Sequence, residues 1–291
     1  MNFIQVLIDG LLTGLVYGLV ALAFVVIFRA SRIVNLAQGQ LVLVGAFIVM
    51  SLLQWLPALA AVAIGLPLAV LAGLAVEKAV FRPLIGQPVF SVVMASIGLL
   101  ILLQGLVQMV WGAQTRPFPE LFPEGAFRID ELLINKKLLF GGVITLTLVE
   151  VLQWLFMRTR VGLRLAAVAE DHMIALSLGV SVRRATQVAW ALGVLLSTIA
   201  ALVLMSGNVL SLQASEIGLR ALPVALLGGL ESLRGAALAG VIVGVGEAIA
   251  SRYLDPYSAG AASQLFPYLV MILVLLIRPQ GLFGWKTIER L

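Results

Sequence analysis

The chain has no cysteine, one histidine and little charge. Asp, Glu, Lys and Arg make up 11% of its 291 residues, against about a quarter in an ordinary soluble domain. Without cysteine there is no thiol nucleophile, no disulfide and no thiolate metal site. The single histidine, His172, stands in a charged loop and leaves no cluster to hold a metal. No GxxxxGK[ST] run occurs, so the chain carries no phosphate-cradling loop for ATP. No nucleophile, base and orienting group can be assembled from known spacings, and no catalytic residue or cofactor is assigned. The formal charge of +5 and the pI near 10 come from basic residues at the ends of apolar runs, which excludes a nucleic-acid patch on one face.

What remains is apolar: 62% of the residues, with mean hydropathy +1.11. A bilayer is the solvent this composition suits. Backbone groups in lipid must bond within the chain, so only helices or a closed barrel can span, and continuous runs near 20 residues select helices. The runs fall at 3–28, 33–55, 59–81, 89–111, 138–157, 187–206, 217–230, 236–254 and 264–277. The first has neither a basic leader nor a small-residue cleavage site and reads as a retained helix. The seventh is short and holds Pro223, as a re-entrant or broken segment would. The expected fold is all-α, a polytopic membrane helix bundle of about eight to ten segments forming one domain over 1–291. Placing 158–185 in the cytoplasm and alternating outward puts 13 of the 19 basic residues on the cytoplasmic side. That orientation leaves the N-terminus outside, the C-terminus inside, and the acidic, proline-rich loop 113–137 outside, as a solvated connector or a short cap that docks a partner.

The cytoplasmic loop is too charged to span, yet 163–178 has helical composition. Leu163, Ala167, Ile174 and Leu178 share a stripe, and Gly179 supplies a stop. Such a helix docks on the membrane surface, the bundle or a partner. Inside the runs, Glu150 and Glu247 are the mid-segment acids, which pair with an arginine, line a cavity or relay protons. Two polar clusters interrupt the apolar pattern. One runs from Arg29 to Gln40 and includes Asn35, Gln38, Gly39 and Gln40. The other runs from Ser206 to Arg220 and includes Asn208, Gln213 and Glu216. Broken helices with neutral amides bind polar solutes without strong charge, and the two clusters begin on opposite sides, as in an inverted repeat. The glycines of 236–254, among them Gly240 and Gly244, read as helix-packing positions.

GLVYGLVALAFVVIFRASRIVNLAQGQLVLVGAF at 14–47, TRVGLRLAAVAEDHMIALSLGVSV at 159–182, ALLGGLESLRGAALAG at 225–240 and RPQGLFG at 278–284 resemble the branched-chain amino acid ABC permease family along nearly the whole chain. Members typically read N-F-A-H-G-E where this chain has Asn35-Leu36-Ala37-Gln38-Gly39-Gln40, and Glu231 stands where glycine is common. The resemblance implies an inner-membrane permease working with a homologous second permease, two ATP-binding cassette subunits and a periplasmic solute-binding protein. It also implies that 167–179 is the coupling helix, with Ala167, Glu170, Asp171, Ala175 and Gly179 toward the ATPase. The family's solutes include branched-chain amino acids, urea, short amides and aromatic acids. An ion-coupled secondary transporter using Glu150 or Glu247, or a passive urea or amide channel, stands as the alternative.

Overall fold

The computed structural model describes residues 3–32, 34–129, 131–170 and 172–284. Helices α1 (Phe3–Ser31), α2 (Gln38–Leu53), α3 (Ala58–Val76) and α4 (Val89–Trp111) come first. A π-helical turn at Glu77–Phe81 and a 3₁₀ turn at Arg82–Leu84 extend α3. Short strands β1 (Arg116–Pro117), β2 (Ala126–Ile129) and β3 (Leu132–Asn135) lead into α5 (Lys136–Arg158). Then follow α6 (Arg160–Glu170), α7 (His172–Ser177), α8 (Val182–Met205), β4 (Val209–Leu210), α9 (Ile217–Gly228), α10 (Leu233–Tyr253), α11 (Asp255–Ser258) and α12 (Ala261–Ile277).

Among the described residues, six helices are long and apolar enough to cross a membrane, α3 counted with its extension; α2 and α12 are apolar but shorter. With the 12-residue α9 they form the expected helical membrane bundle. Polar side chains start several helices by accepting otherwise unpaired N–H groups. Asn135 caps α5, Ser181 caps α8 and Ser232 caps α10. The second segment departs from its expected bounds. Residues 34–37 are not helical, because the Asn35 Oδ1 accepts the Ala37 N–H at 3.0 Å and turns the chain before α2 begins.

The core is built around α1, which is apolar on every face and buried from Gly14 to Ile27. It lies antiparallel to α10 along small residues: Gly10 meets Ala248 and Gly244, Gly14 meets Gly240, and Gly18 meets Ala237. A Cβ on Gly10 would stand 2.8 Å from the Gly244 carbonyl oxygen, and one on Gly14 would overlap the Gly240 carbonyl. Lipid tails supply no hydrophobic drive between helices, so close backbone approach through small residues holds such a pair together. Helix α8 covers another face of α1, with Gly193 against Ile27.

The described residues of the 113–137 loop form a cap. β1 pairs with β4, and β2 with β3. Ser206 Oγ accepts the Leu121 and Phe122 N–H groups at 2.8 and 3.2 Å, and Gln5 exchanges two hydrogen bonds with the Leu133 backbone. Within the cap, the hydrogen bond that protonated Glu120 donates to Glu124 raises the Glu120 carboxyl above its ordinary pKa. A raised carboxyl contributes stability that is full below the unfolded pKa and lost as pH rises through the folded one. Protease protection of 113–124, compared at pH 4.5 and 7.5, is therefore expected to fall with pH in the parent and to change less in Glu120→Gln. Equal pH dependence in both proteins would remove the shared proton from the account.

Candidate functional site

The first polar cluster folds into a buried relay. Asn35 Nδ2 donates to Gln38 Oε1 at 3.2 Å, and Gln38 Nε2 donates to Ser197 Oγ on α8 at 2.6 Å. Asn35, Gln38 and Ser197 are 1%, 0% and 0% exposed. One residue on, Gly39 meets Gly218: a Cβ on Gly39 would lie 3.1 Å from the Gly218 Cα and overlap the Ser215 carbonyl. Only glycine lets these backbones touch.

That contact joins the starts of two short helices approaching from opposite ends of the bundle. The chain enters α2 from the end where α1 finishes, and α2 runs toward Trp111, whose Nε1 donates to Ser51 at 2.7 Å. It enters α9 from the end where β4 pairs with β1, through a 3₁₀ turn at Leu212–Glu216, and α9 finishes near the α1 end, where Leu282 N–H donates to the Leu227 carbonyl. Neither N-terminus has a side-chain cap. Two positive helix ends therefore converge in mid-bundle.

Beside them lies a cavity of about 370 Å³. Its polar wall is Gln40, Gln104, Gln213, Ser215 and Glu216; its apolar wall is Leu36, Leu100, Leu212 and Leu219. The Gln40 Oε1 is buried without a hydrogen-bond partner, although Gln40 is only 3% exposed. An unpaired amide oxygen is costly unless something else bonds it.

Gly39, Gln40, Gln213 and Glu216 thus come together, while Asn35 and Gln38 sit behind the cavity in the relay. Asn208 does not join them: it is exposed near the cap and donates to the Leu204 carbonyl at 2.7 Å. Gln104 of α4 belongs to the site and is not singled out by sequence reasoning. Its signal is a neutral amide in an apolar run, which a search for charges passes over. Glu150 lies on the outer surface, bonded to Arg234 at 2.7 and 3.1 Å. Glu247 lies inside, beside Tyr17 and near Arg220, with its Oε1 unpaired. Neither acid lines the cavity.

On the Arg32 side, the 158–185 loop forms α6 and α7 where a single helix is expected; Asp171, between them, is outside the described residues. Leu165 and Val168 of α6 point into the core, as does Ala175 at 1% exposure. Leu163 and Leu178 are each 72% exposed, Ala167 is half-buried and Glu170 is exposed; the Ile174 side chain is outside those described. Gly179, at φ 75°, ends α7 with Val180 N–H donating to the Ala175 carbonyl and Gly179 N–H to the Leu176 carbonyl. These paired bonds from a left-handed glycine close the helix as the sequence suggests. Arg32 ties this layer to the bundle. Its Nε donates to the Ala169 carbonyl at 2.9 Å, and its Nη1 pairs with Glu231 after α9. The unusual acid at position 231 has its partner there.

A polar cavity where two interrupted helices meet, inside a multi-pass helical bundle, defines a membrane transport component. Residues 6–275 match the family described as branched-chain amino acid transport system, permease component. The chain belongs to this family, the permeases of branched-chain amino acid ABC transporters. It is 29% identical to the high-affinity branched-chain amino acid transport system permease protein BraD of Pseudomonas aeruginosa, over 99% of this chain and 98% of that one. It is 25% identical to LivH of Salmonella typhimurium, a protein of the same description, over 99% and 97%. Among solved structures, PsaBC from Streptococcus pneumoniae in complex with Fab aligns with TM-score 0.49 and 17% identity over 96% of this chain and 93% of that one.

Proposed function

We propose that the chain is the translocating subunit of a bacterial ABC importer that moves branched-chain amino acids or a related small polar solute by ATP-driven alternating access. It would sit in the inner membrane beside a homologous second permease, above two ATP-binding subunits, and receive solute from a periplasmic binding protein. The observation that carries this reading is the cavity at the abutting starts of α2 and α9. A zwitterion with an aliphatic side chain presents a carboxylate, an ammonium and an apolar stem. The two helix ends suit the carboxylate, Glu216 suits the ammonium, and the four leucines suit the stem. The excess of basic residues on the Arg32 side supports a cytoplasmic face there, with the N-terminus and the 113–137 cap outside.

In this reading the 158–185 loop meets the ATPases. Ala167, Glu170 and Gly179 lie on or beside that surface, Ala175 supports it from beneath, and Asp171, outside the described residues, is assigned to it by the family resemblance alone. The exposed Leu163 and Leu178 are the apolar contacts the loop offers.

Two experiments test this. In proteoliposomes holding the assembled complex, Glu216→Gln is expected to weaken leucine uptake about 10-fold or more, the loss of one charged hydrogen bond, while uptake of a short amide stays near the parent level. Unchanged leucine uptake removes the ammonium site, and loss of both solutes assigns Glu216 a structural role. In co-purification, Leu163→Arg with Leu178→Arg is expected to lose the ATP-binding subunits and keep the second permease. A complex that retains its ATPases despite both charges places the coupling surface elsewhere.

A further inference from the structure

A second cavity, of about 380 Å³, opens on the Arg32 side of the bundle. It is lined by Phe28, Ser31, Arg32, Val34, Gln87 and Thr186, among others, and shares no residue with the first. Both cavities lie along one stretch of chain. Ser31, Arg32 and Val34 face one, and Leu36, Gly39 and Gln40 face the other. On α8, Thr186 of the second cavity and Ser197 of the relay are about 16 Å apart along the axis. On α4, the second cavity takes Val92 and Val93, and the first takes Leu100 and Gln104. The two cavities are thus successive along the bundle, with Asn35, Gln38 and Ser197 between them.

We infer that the hydrogen-bonded relay from Asn35 through Gln38 to Ser197 is the gate that separates the solute cavity from the Arg32 side. This rests on the reading of the first cavity as the solute site. The relay is buried, and Ala37 and Val194, close to it in the chain, belong with Ile27 and Trp190 to one buried apolar cluster. Its bonds are all between neutral groups, so opening it exchanges them for water without separating a charge pair, a step of small net cost. The bond across helices runs from α2 to α8, and α2 is not continuous with α1. A shift of α2 against α8 therefore breaks the Gln38 to Ser197 bond and joins the two cavities without bending either long helix. Ser197 Oγ also donates to the Gly193 carbonyl at 2.9 Å, which keeps the hydroxyl placed to accept Gln38 again on closing.

The absence of cysteine from the sequence makes the test clean. A single thiol is introduced by Leu36→Cys, facing the solute cavity, in the assembled complex. Native vesicles of each orientation are then treated with a membrane-impermeant maleimide. With the relay intact, labelling from the Arg32 side is expected to be slow and labelling from the opposite side fast. Adding Gln38→Ala or Ser197→Ala should raise the Arg32-side rate about 10-fold or more, while Ser197→Thr, which keeps the hydroxyl, should hold the parent rate. An unchanged rate from the opposite side reports a folded protein in each variant. Fast Arg32-side labelling with the relay intact overturns the gate, and so does a slow rate that neither alanine variant raises. Leucine is added in parallel as a protecting solute. If the alanine variants open the path but leucine never slows labelling, the gate stands and the amino-acid reading of the cavity falls.

Discussion

Leucine in place of Gly14 is expected to yield little monodisperse protein and, in what survives, an apparent Tm lower by about 10 °C, from overpacking of about 3 kcal/mol. The cost is high because of what the side chain would meet. Gly14 lies against the backbone of Gly240 and Val241, and Gly240 in turn lies against Gly14 and Gly18. Backbone cannot rotate away as a side-chain tip can, so the pair must separate, and α1 is the axis on which the other helices pack. Gly240→Leu is expected to do the same from the other side. Gly98→Leu is the control: a Cβ there meets nothing within 4 Å, so added bulk on that face of α4 should leave Tm within about a degree or two. The measurement is fluorescence-detected size exclusion with thermal challenge, all variants run together. A Gly14→Leu protein as stable as Gly98→Leu would mean that the α1–α10 crossing is looser than its geometry.

Hydropathy alone locates the segments of this fold, because the bilayer charges for every polar group at depth and the nine apolar runs report that cost. The short α9 is legible through the polar residues before it, although Pro223 sits inside a continuous helix and the irregular turn precedes it at Leu212–Glu216; the stop at Gly179 is legible through its left-handed freedom. The start of α2 is less so. Ile33 to Trp55 reads as one apolar stretch until Asn35 is recognised as a residue that turns its own backbone. Neighbours are harder still. A helix such as α1, apolar on all sides, has no moment to say which face meets α10 and which meets α8. For the same reason the two polar clusters can be found but not joined. Nothing in the pattern says that Gly39 touches Gly218, and Gln104 enters the site only because α4 packs beside α2. Ala175, which the family resemblance places toward the ATPase, has its side chain turned inward at 1% exposure, a packing that the motif does not carry.

Arg32 is where a movement of the 158–185 loop would enter the bundle. It holds the Ala169 carbonyl at the end of α6 and pairs with Glu231 beyond α9, and it adjoins the chain that leads into the relay. Its φ of 55° is uncommon for a residue with a side chain; such a conformation persists where surrounding contacts hold it. The three structures that the proposed alternating access would move together, α6, α9 and the entry to α2, are thus tied at one guanidinium. Arg32→Glu sets two acids against each other and leaves the Ala169 carbonyl without its donor. In the reconstituted complex we expect solute moved per ATP hydrolysed to fall about 10-fold, a coupling loss near 1.4 kcal/mol, with ATP hydrolysis itself retained. The charge-exchanged pair, Arg32→Glu with Glu231→Arg, should recover part of that ratio because the ion pair is rebuilt even though the Ala169 bond is not. If hydrolysis and transport fall in parallel, Arg32 supports assembly and carries no motion. If the exchanged pair is no better than the single variant, the Glu231 contact is incidental and the Ala169 bond alone is the link.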